Sequence, residues 1–263
     1  MLVSGLRTDP DPIARRLTKI LSGSTDDGCL PLDLPRPNCA VKITVAIPTL
    51  NEAATIGDVV DEVKPYADEI LVIDGGSKDG TPDIARRKGA RVVFDGGGGK
   101  GRAIVTAARE ASGDITVFFD ADGSHDAKDI PALVAPIQEG RAEHVTASRL
   151  LGGSSELHGG FDEFLRLSGA AFITACINRR FGIRLSDSQN GFRALRTDFL
   201  RSLTLVSRHT TIEQEMIAKT LKAGGRIVEI PSHEHPRRAG KSHVNPVRHA
   251  PAYLWSLLRD VLL

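Results

Sequence analysis

The chain has 263 residues, 41% of them hydrophobic and 25% charged, which excludes a disordered or fibrous class and leaves room for one sizeable α/β core. Thirty-four Lys and Arg against 33 Asp and Glu leave a net charge of +1, so no long-range field draws in nucleic acid and any anionic partner must be met by local cations. The three cysteines, Cys29, Cys39 and Cys176, are odd in number and lack ligand spacing, which argues against a disulfide framework or zinc cluster and fits a reducing cytoplasm.

Residues 1–40 open without the long apolar run of a secretory signal. A short helical pattern (Ile13, Leu17, Ile20, Leu21) leads into a Gly, Ser and Pro-rich stretch ending LPLDLPRPN, the composition of a partly ordered extension. From Lys42 the texture changes. ITVAIP, EILVID, ARVVFD and DITVFFD are short β-rich runs separated by segments with helical periodicity, which predicts βαβ units and a parallel sheet. Beyond about residue 150 come a Gly/Ser loop, a helix over Phe161 to Arg180, the run DSQNGFRAL, and a second helix near Thr211 to Ala223. A last strand, RIVEIP, feeds the basic loop HEHPRRAGKSH and a terminal helix. Ala170 to Ile177 and Tyr253 to Leu263 are the best apolar stretches, and both fall short of the roughly 20 residues a membrane span needs. The terminal segment, with Tyr253, Trp255 and its leucines, reads either as core packing or as an interfacial helix that touches a membrane without crossing it.

In open parallel sheets ligands gather beyond the carboxyl ends of the strands. The first run ends in Pro48-Thr49-Leu50-Asn51-Glu52, the second in Asp74-Gly75-Gly76-Ser77, the third in Asp95 and a glycine run, the fourth in Asp120-Ala121-Asp122. Asp120 and Asp122 flank a small residue where strand alternation points both side chains the same way. Hard oxygen donors at that spacing suit Mg²⁺ or Mn²⁺, with phosphate oxygens and water completing the shell; read alone, the pair also fits a turn or a helix cap.

IPTLNEA, VIDGGSKDGT and FFDADGS, in this order, resemble the family 2 glycosyltransferases of the GT-A fold, and closely the polyprenyl-phosphate (dolichyl-phosphate) sugar synthases. The resemblance spans about Lys42 to Arg248 and implies a mostly parallel Rossmann-like sheet flanked by helices, with a nucleotide-sugar half over 41–150 and an acceptor-side half over 151–263. It assigns Pro48, Thr49, Asn51, Glu52, Asp74, Gly76 and Ala121 to the nucleotide, and Asp120 and Asp122 to the metal that ties down the diphosphate. Asp187-Ser188-Gln189-Asn190-Gly191-Phe192-Arg193 looks like the family's D-x-Q-x-G-F-R/K element and leans the donor toward UDP-glucose over GDP-mannose. Glu213 and Glu215 fall on its later helix, and Arg238, Lys241 and Ser242 in its acceptor-phosphate loop, with Arg149 and Gln189 also on the acceptor side. Leu50 stands where the family has an aromatic and Ser124 where it often has Gln; His235, in a loop that also holds His233 and His243, is then a candidate for completing the metal shell.

Gly96, Gly98 and Gly101 formally satisfy G-x-G-x-x-G, which raises a dinucleotide-binding oxidoreductase as a rival. The run follows the third strand rather than the first, and that reading leaves the Asp pair unexplained. In the resembling family a Lys-Gly element here lies near the nucleotide, which makes Lys100 and Gly101 candidates.

The reaction implied is attack of an acceptor oxygen on the anomeric carbon, with inversion and loss of nucleoside diphosphate whose charge the metal offsets. A polyprenyl-phosphate acceptor needs no general base, only the cations Arg149, Arg238 and Lys241 to place it. A soluble hydroxyl or phosphorylated acceptor is the enzymatic alternative, and for a hydroxyl Asp187 or Glu213 becomes the base. A non-catalytic sugar-nucleotide-binding module is the non-enzyme alternative. A peripheral position at the inner face of a membrane and self-association as a homodimer are both compatible with the sequence.

Overall fold

The four β-rich runs after Lys42 form β1 (Ile43–Thr49), β2 (Glu69–Asp74), β3 (Arg91–Phe94) and β4 (Ile115–Phe118) in a computed structural model that describes residues 41–155, 161–240 and 246–263. The extension expected over residues 1–40 lies outside the described residues, as do Lys241, Ser242 and His243. Three more strands, β5 (His144–Ser148), β6 (Arg193–Arg196) and β7 (Ile227–Pro231), complete a seven-stranded sheet of order β3-β2-β1-β4-β6-β5-β7. All neighbours are parallel except β6, which runs antiparallel to both β4 and β5. One sheet therefore carries strands from both sides of residue 150.

Helices cover both faces, as a largely parallel sheet requires. Alternate residues of the central strands enter opposite cores: Val45, Ile47 and Val117 pack on one side, Ala46, Leu71, Ile73 and Phe118 on the other. The first side is closed by α1 (Ile56–Val63), whose Ile56, Val59, Val60 and Val63 repeat at helical spacing, and, after the short α2 (Thr81–Arg87), by α4 (Ile130–Gln138). Against the second side lie α3 (Lys100–Glu110), α7 (Thr197–Ser202) and α8 (Ile212–Lys222). The four-residue α5 (Arg149–Gly152) leaves the end of β5, and the long α6 (Phe161–Phe181) follows it. Ile173 and Ile177 of α6 join Ile217 and Ala218 of α8 and the terminal Leu257 and Val261 in a third core. That core brings α9 (Pro246–Ser256), and the π-helical turn Leu257–Leu262 after it, alongside α6. Buried on every side, α8 sends Ile212 and Met216 to the sheet and Ile217 to α6, so the carboxylates of Glu213 and Glu215 need internal partners.

Candidate active site

The ends of β1 and β2 are laced together by side chains. Asn51 sits at φ 56 and accepts the Lys78 amide on Oδ1 at 2.9 Å, while its own amide donates to Ser77 Oγ at 2.8 Å. The Glu52 amide donates to Thr81 Oγ1 at 2.9 Å. Asp74 is fully buried; its Oδ1 accepts the amides of Gly76 and Ser77, both at 2.8 Å, and Thr49 Oγ1 lies 3.4 Å from Oδ2. Gly76 is needed for a turn at φ 98, and its amide holds Asp74. Pro48 and Thr49 close β1 beside Ile73 and Asp74.

At the end of the glycine run, the Gly101 amide is taken by backbone. The Gly101 amide donates to Arg208 O at 2.9 Å, and a Cβ on Gly101 would stand 1.9 Å from Ser207 O. Close approach of the 207–208 backbone therefore explains this glycine without a dinucleotide. The helix starting here delivers Lys100, whose Nζ bridges Asp120 Oδ1 at 2.8 Å and Glu213 Oε1 at 3.0 Å. His125 Nε2 lies 3.2 Å from Asp120 Oδ2, its ring stacked on Phe192 at 4.9 Å and edge-on to Phe119 at 5.5 Å. Burial alone would push the Asp120 carboxyl up; the Lys100 charge and the His125 contact overcome it and hold it far below the usual carboxylate range. The Lys100 ammonium is pulled down by burial and raised more strongly by the charges of Asp120 and Glu213, so it stays protonated. Gly191 lets this group assemble, since a Cβ there would meet Asp120 Oδ2 at 2.6 Å and Lys100 Nζ at 2.7 Å.

Beyond Ala121, which is buried in the core, Asp122 accepts the Ser124 amide on Oδ1 at 3.0 Å and pairs through Oδ2 with Arg237 Nη2 at 2.8 Å. Both carboxylates line a cavity of about 530 Å³ with Lys100, Arg149, Gln189 and Glu213. Among the described residues no group of three or more His, Cys, Asp or Glu could hold a metal ion. The donors nonetheless fit a hard divalent ion that keeps phosphate and water ligands: two carboxylates face the cavity, and Asp122 takes a cation there already, in the form of Arg237.

Several expected residues take other positions. His235 faces His233, ring centroids 4.9 Å apart, and its backbone amide donates to Ser124 O at 2.8 Å; its ring does not join the Asp pair. Arg238 forms a two-pronged pair with Glu62 of α1, at 2.5 and 3.1 Å, and does not line the cavity. Asp187 is also outside the lining: Arg149 Nε and Nη2 hold its two oxygens at 2.6 and 3.0 Å, and the Gln189 amide adds a bond at 3.0 Å. Burial raises its pKa, but the Arg149 hydrogen bonds and charge lower it further, which makes it a poor proton acceptor and a positioning residue for Arg149. Glu234 Oε1 holds Arg149 from its other side at 3.4 Å. Glu213 stays in the cavity wall, and its Oε2 is buried without a hydrogen-bond partner among the described residues. Arg237, His125 and Glu234 carry no distinguishing mark in the sequence. The only cue to Arg237 is its place beside Arg238, and a loop has no periodicity to choose between them.

A parallel sheet with one antiparallel strand, carrying a carboxylate pair past its fourth strand and a charged cavity beyond it, defines a GT-A glycosyltransferase. The glycosyl transferase family 2 model matches residues 44–204, and the chain belongs to that family. Glycosyltransferase AglJ of Haloferax volcanii is 32% identical over 221 residues, covering 82% of this chain and 69% of AglJ. The Micrococcus luteus undecaprenyl-phosphate mannosyltransferase is 30% identical over 222 residues, covering 78% and 88%. Of the Haloferax hexosyltransferase Agl6, 30% identical, the chain spans little more than half, 56% of its length. The crystal structure of Mycobacterium tuberculosis glucosyl-3-phosphoglycerate synthase with Mn²⁺, UDP-glucose and phosphoglyceric acid aligns with a TM-score of 0.67 at 27% identity, over 85% of this chain and 80% of that one.

Proposed function

We propose that the enzyme transfers a hexose, with inversion, from a nucleoside diphosphate sugar to a polyprenyl phosphate, UDP-glucose being the favoured donor. The observation that carries this reading is the mixed lining of the cavity: Lys100, Asp120, Asp122 and Arg237 line it together with Leu165, Phe172 and Ile173 of α6 and Leu254 of α9. A lipid phosphate has that mixed character. Phe172 and Leu254 of this lining are exposed, as are Trp255 and Leu258 in the same C-terminal segment as Leu254, which supports peripheral contact with a membrane. Among the described residues no helix is long and apolar enough to cross one.

Asn51, Glu52 and Asp74 hold the nucleotide at the ends of β1 and β2. Asp122, with Asp120, would hold Mg²⁺ or Mn²⁺, which supplies charge neutralisation for the departing diphosphate. Lys100 fixes the Asp120 carboxylate in its ionised form, and Gln189 and Arg149 border the acceptor. A phosphate nucleophile is ionised near neutral pH, so no residue need accept a proton. The likeness to glucosyl-3-phosphoglycerate synthase favours a second reading, a small phosphorylated acceptor.

The deciding experiment offers radiolabelled UDP-glucose or GDP-mannose to the purified protein with Mn²⁺, against polyprenyl phosphate in detergent or 3-phosphoglycerate in buffer. Label from UDP-glucose entering the organic phase, and lost with EDTA, supports the proposal. Label appearing only in aqueous glucosylphosphoglycerate overturns the lipid acceptor, and transfer from GDP-mannose alone overturns the donor.

A further inference from the structure

Arg237 reaches Asp122 because its loop is docked, not because its side chain is long. The His235 amide donates to Ser124 O at 2.8 Å and the Arg238 amide to Asp122 O at 3.0 Å, so the 235–238 segment lies along residues 122–124. Gly123, at φ 74, makes room: a Cβ there would stand 2.7 Å from Arg238 Cδ. The Arg238–Glu62 pair ties the same segment to α1. Arg237 itself spans two loops of the site, with Nη2 2.8 Å from Asp122 Oδ2 and Nη1 3.8 Å from Glu52 Oε1. Asp122 is buried, and its only charged partner within 4 Å among the described residues is this guanidinium.

We infer that Arg237 is the resident counter-ion of Asp122, and that it and a divalent cation occupy that carboxylate in turn. The inference rests on Asp122 being the metal ligand of the proposed function. Two cations on one carboxylate repel, so the metal must displace the guanidinium from Asp122, which leaves it beside Glu52 and able to take a second anion. The diphosphate of a nucleotide held at Glu52 provides it, because guanidinium pairs with phosphate oxygens in a two-pronged fork. Metal and nucleotide then bind with positive coupling: each is weak alone, and a loop without nucleotide keeps its carboxylate neutralised.

The test is titration of the protein with Mn²⁺, followed by the electron paramagnetic resonance signal of the free ion, with and without UDP, on wild type, Arg237→Gln, Arg237→Lys and Asp122→Asn. Wild type should bind Mn²⁺ weakly alone and about tenfold or more tightly with UDP. R237Q should raise the nucleotide-free affinity by about tenfold and shrink the UDP effect, while R237K, which keeps the charge, should track wild type. Without metal, R237Q should melt below wild type, and Mn²⁺ should close that gap. Nucleotide-free affinity that is unchanged or lower in R237Q overturns the inference while leaving the metal at Asp122. Undiminished Mn²⁺ binding in D122N overturns the metal assignment itself, and the inference with it.

Discussion

Asp187→Asn measures what the buried pair with Arg149 contributes to stability. Asp187 is 4% exposed at its side chain and its partner Arg149 19%. The wild-type carboxylate takes two charged hydrogen bonds, at 2.6 and 3.0 Å, and the Gln189 amide. Breaking a buried ion pair from one side costs about 3–5 kcal/mol, because the remaining charge is left without compensation. Arg149 keeps Glu234 at 3.4 Å and some access to solvent, which places the expected loss at about 3 kcal/mol. Urea unfolding near neutral pH reads it as a lower midpoint at unchanged slope. The pH dependence has a definite sign. The folded-state pKa lies below the ordinary 3.8, so the ionised carboxylate's contribution is fully present above that value and is lost only as pH falls through the folded one. The gap between wild type and D187N should therefore hold steady from about pH 8 to about pH 5. A gap below about 1 kcal/mol, or one that shrinks across that range, refutes the pairing.

Gly191→Ala puts a methyl 2.6 Å from Asp120 Oδ2 and 2.7 Å from Lys100 Nζ, both movable side-chain ends. Turnover should fall about 10- to 100-fold with a stability change below about 1 kcal/mol, and unaltered kinetics would show that the Asp120–Lys100 geometry is not needed. His144 is fully buried, bonded to Thr220 Oγ1 at 3.1 Å, and burial together with the Arg193 charge keeps its pKa well below 6.5. The unfolded chain takes up this proton below 6.5 and the folded one does not, so stability drops as pH is lowered below 6.5, by up to about 1.4 kcal/mol per unit. His144→Asn should lose that component of the slope in urea titrations stepped down from pH 6.5; equal slopes would mean the folded protein accommodates the charged ring.

Local chemistry makes much of this enzyme legible in its sequence. The runs ITVAIP, EILVID, ARVVFD and DITVFFD became β1 to β4, and the residues following them became the rim. Alternation along the strand and the turn chemistry around Gly76 are short-range properties, so Asp74, Asp120 and Asp122 stand out in the order of residues alone. The helix expected over Phe161 to Arg180 spans Phe161–Phe181, and that expected near Thr211 to Ala223 spans Ile212–Lys222. β6 is not legible in this way because four residues with an arginine at each end carry no readable period, and its antiparallel insertion between β4 and β5 is decided by its neighbours.

Which charges meet was decided by the tertiary structure alone. Lys100 finds Glu213 across the cavity, Arg149 finds Asp187 and Glu234, and Arg238 reaches Glu62 while its neighbour Arg237 takes Asp122. The sequence by itself determined the elements and the strand-end carboxylates, since period, turn preference and spacing act within a few residues. Ion pairs joining residues up to 176 positions apart depend on how packed strands and loops bring backbones together, and a single step along a loop hands the site a different arginine.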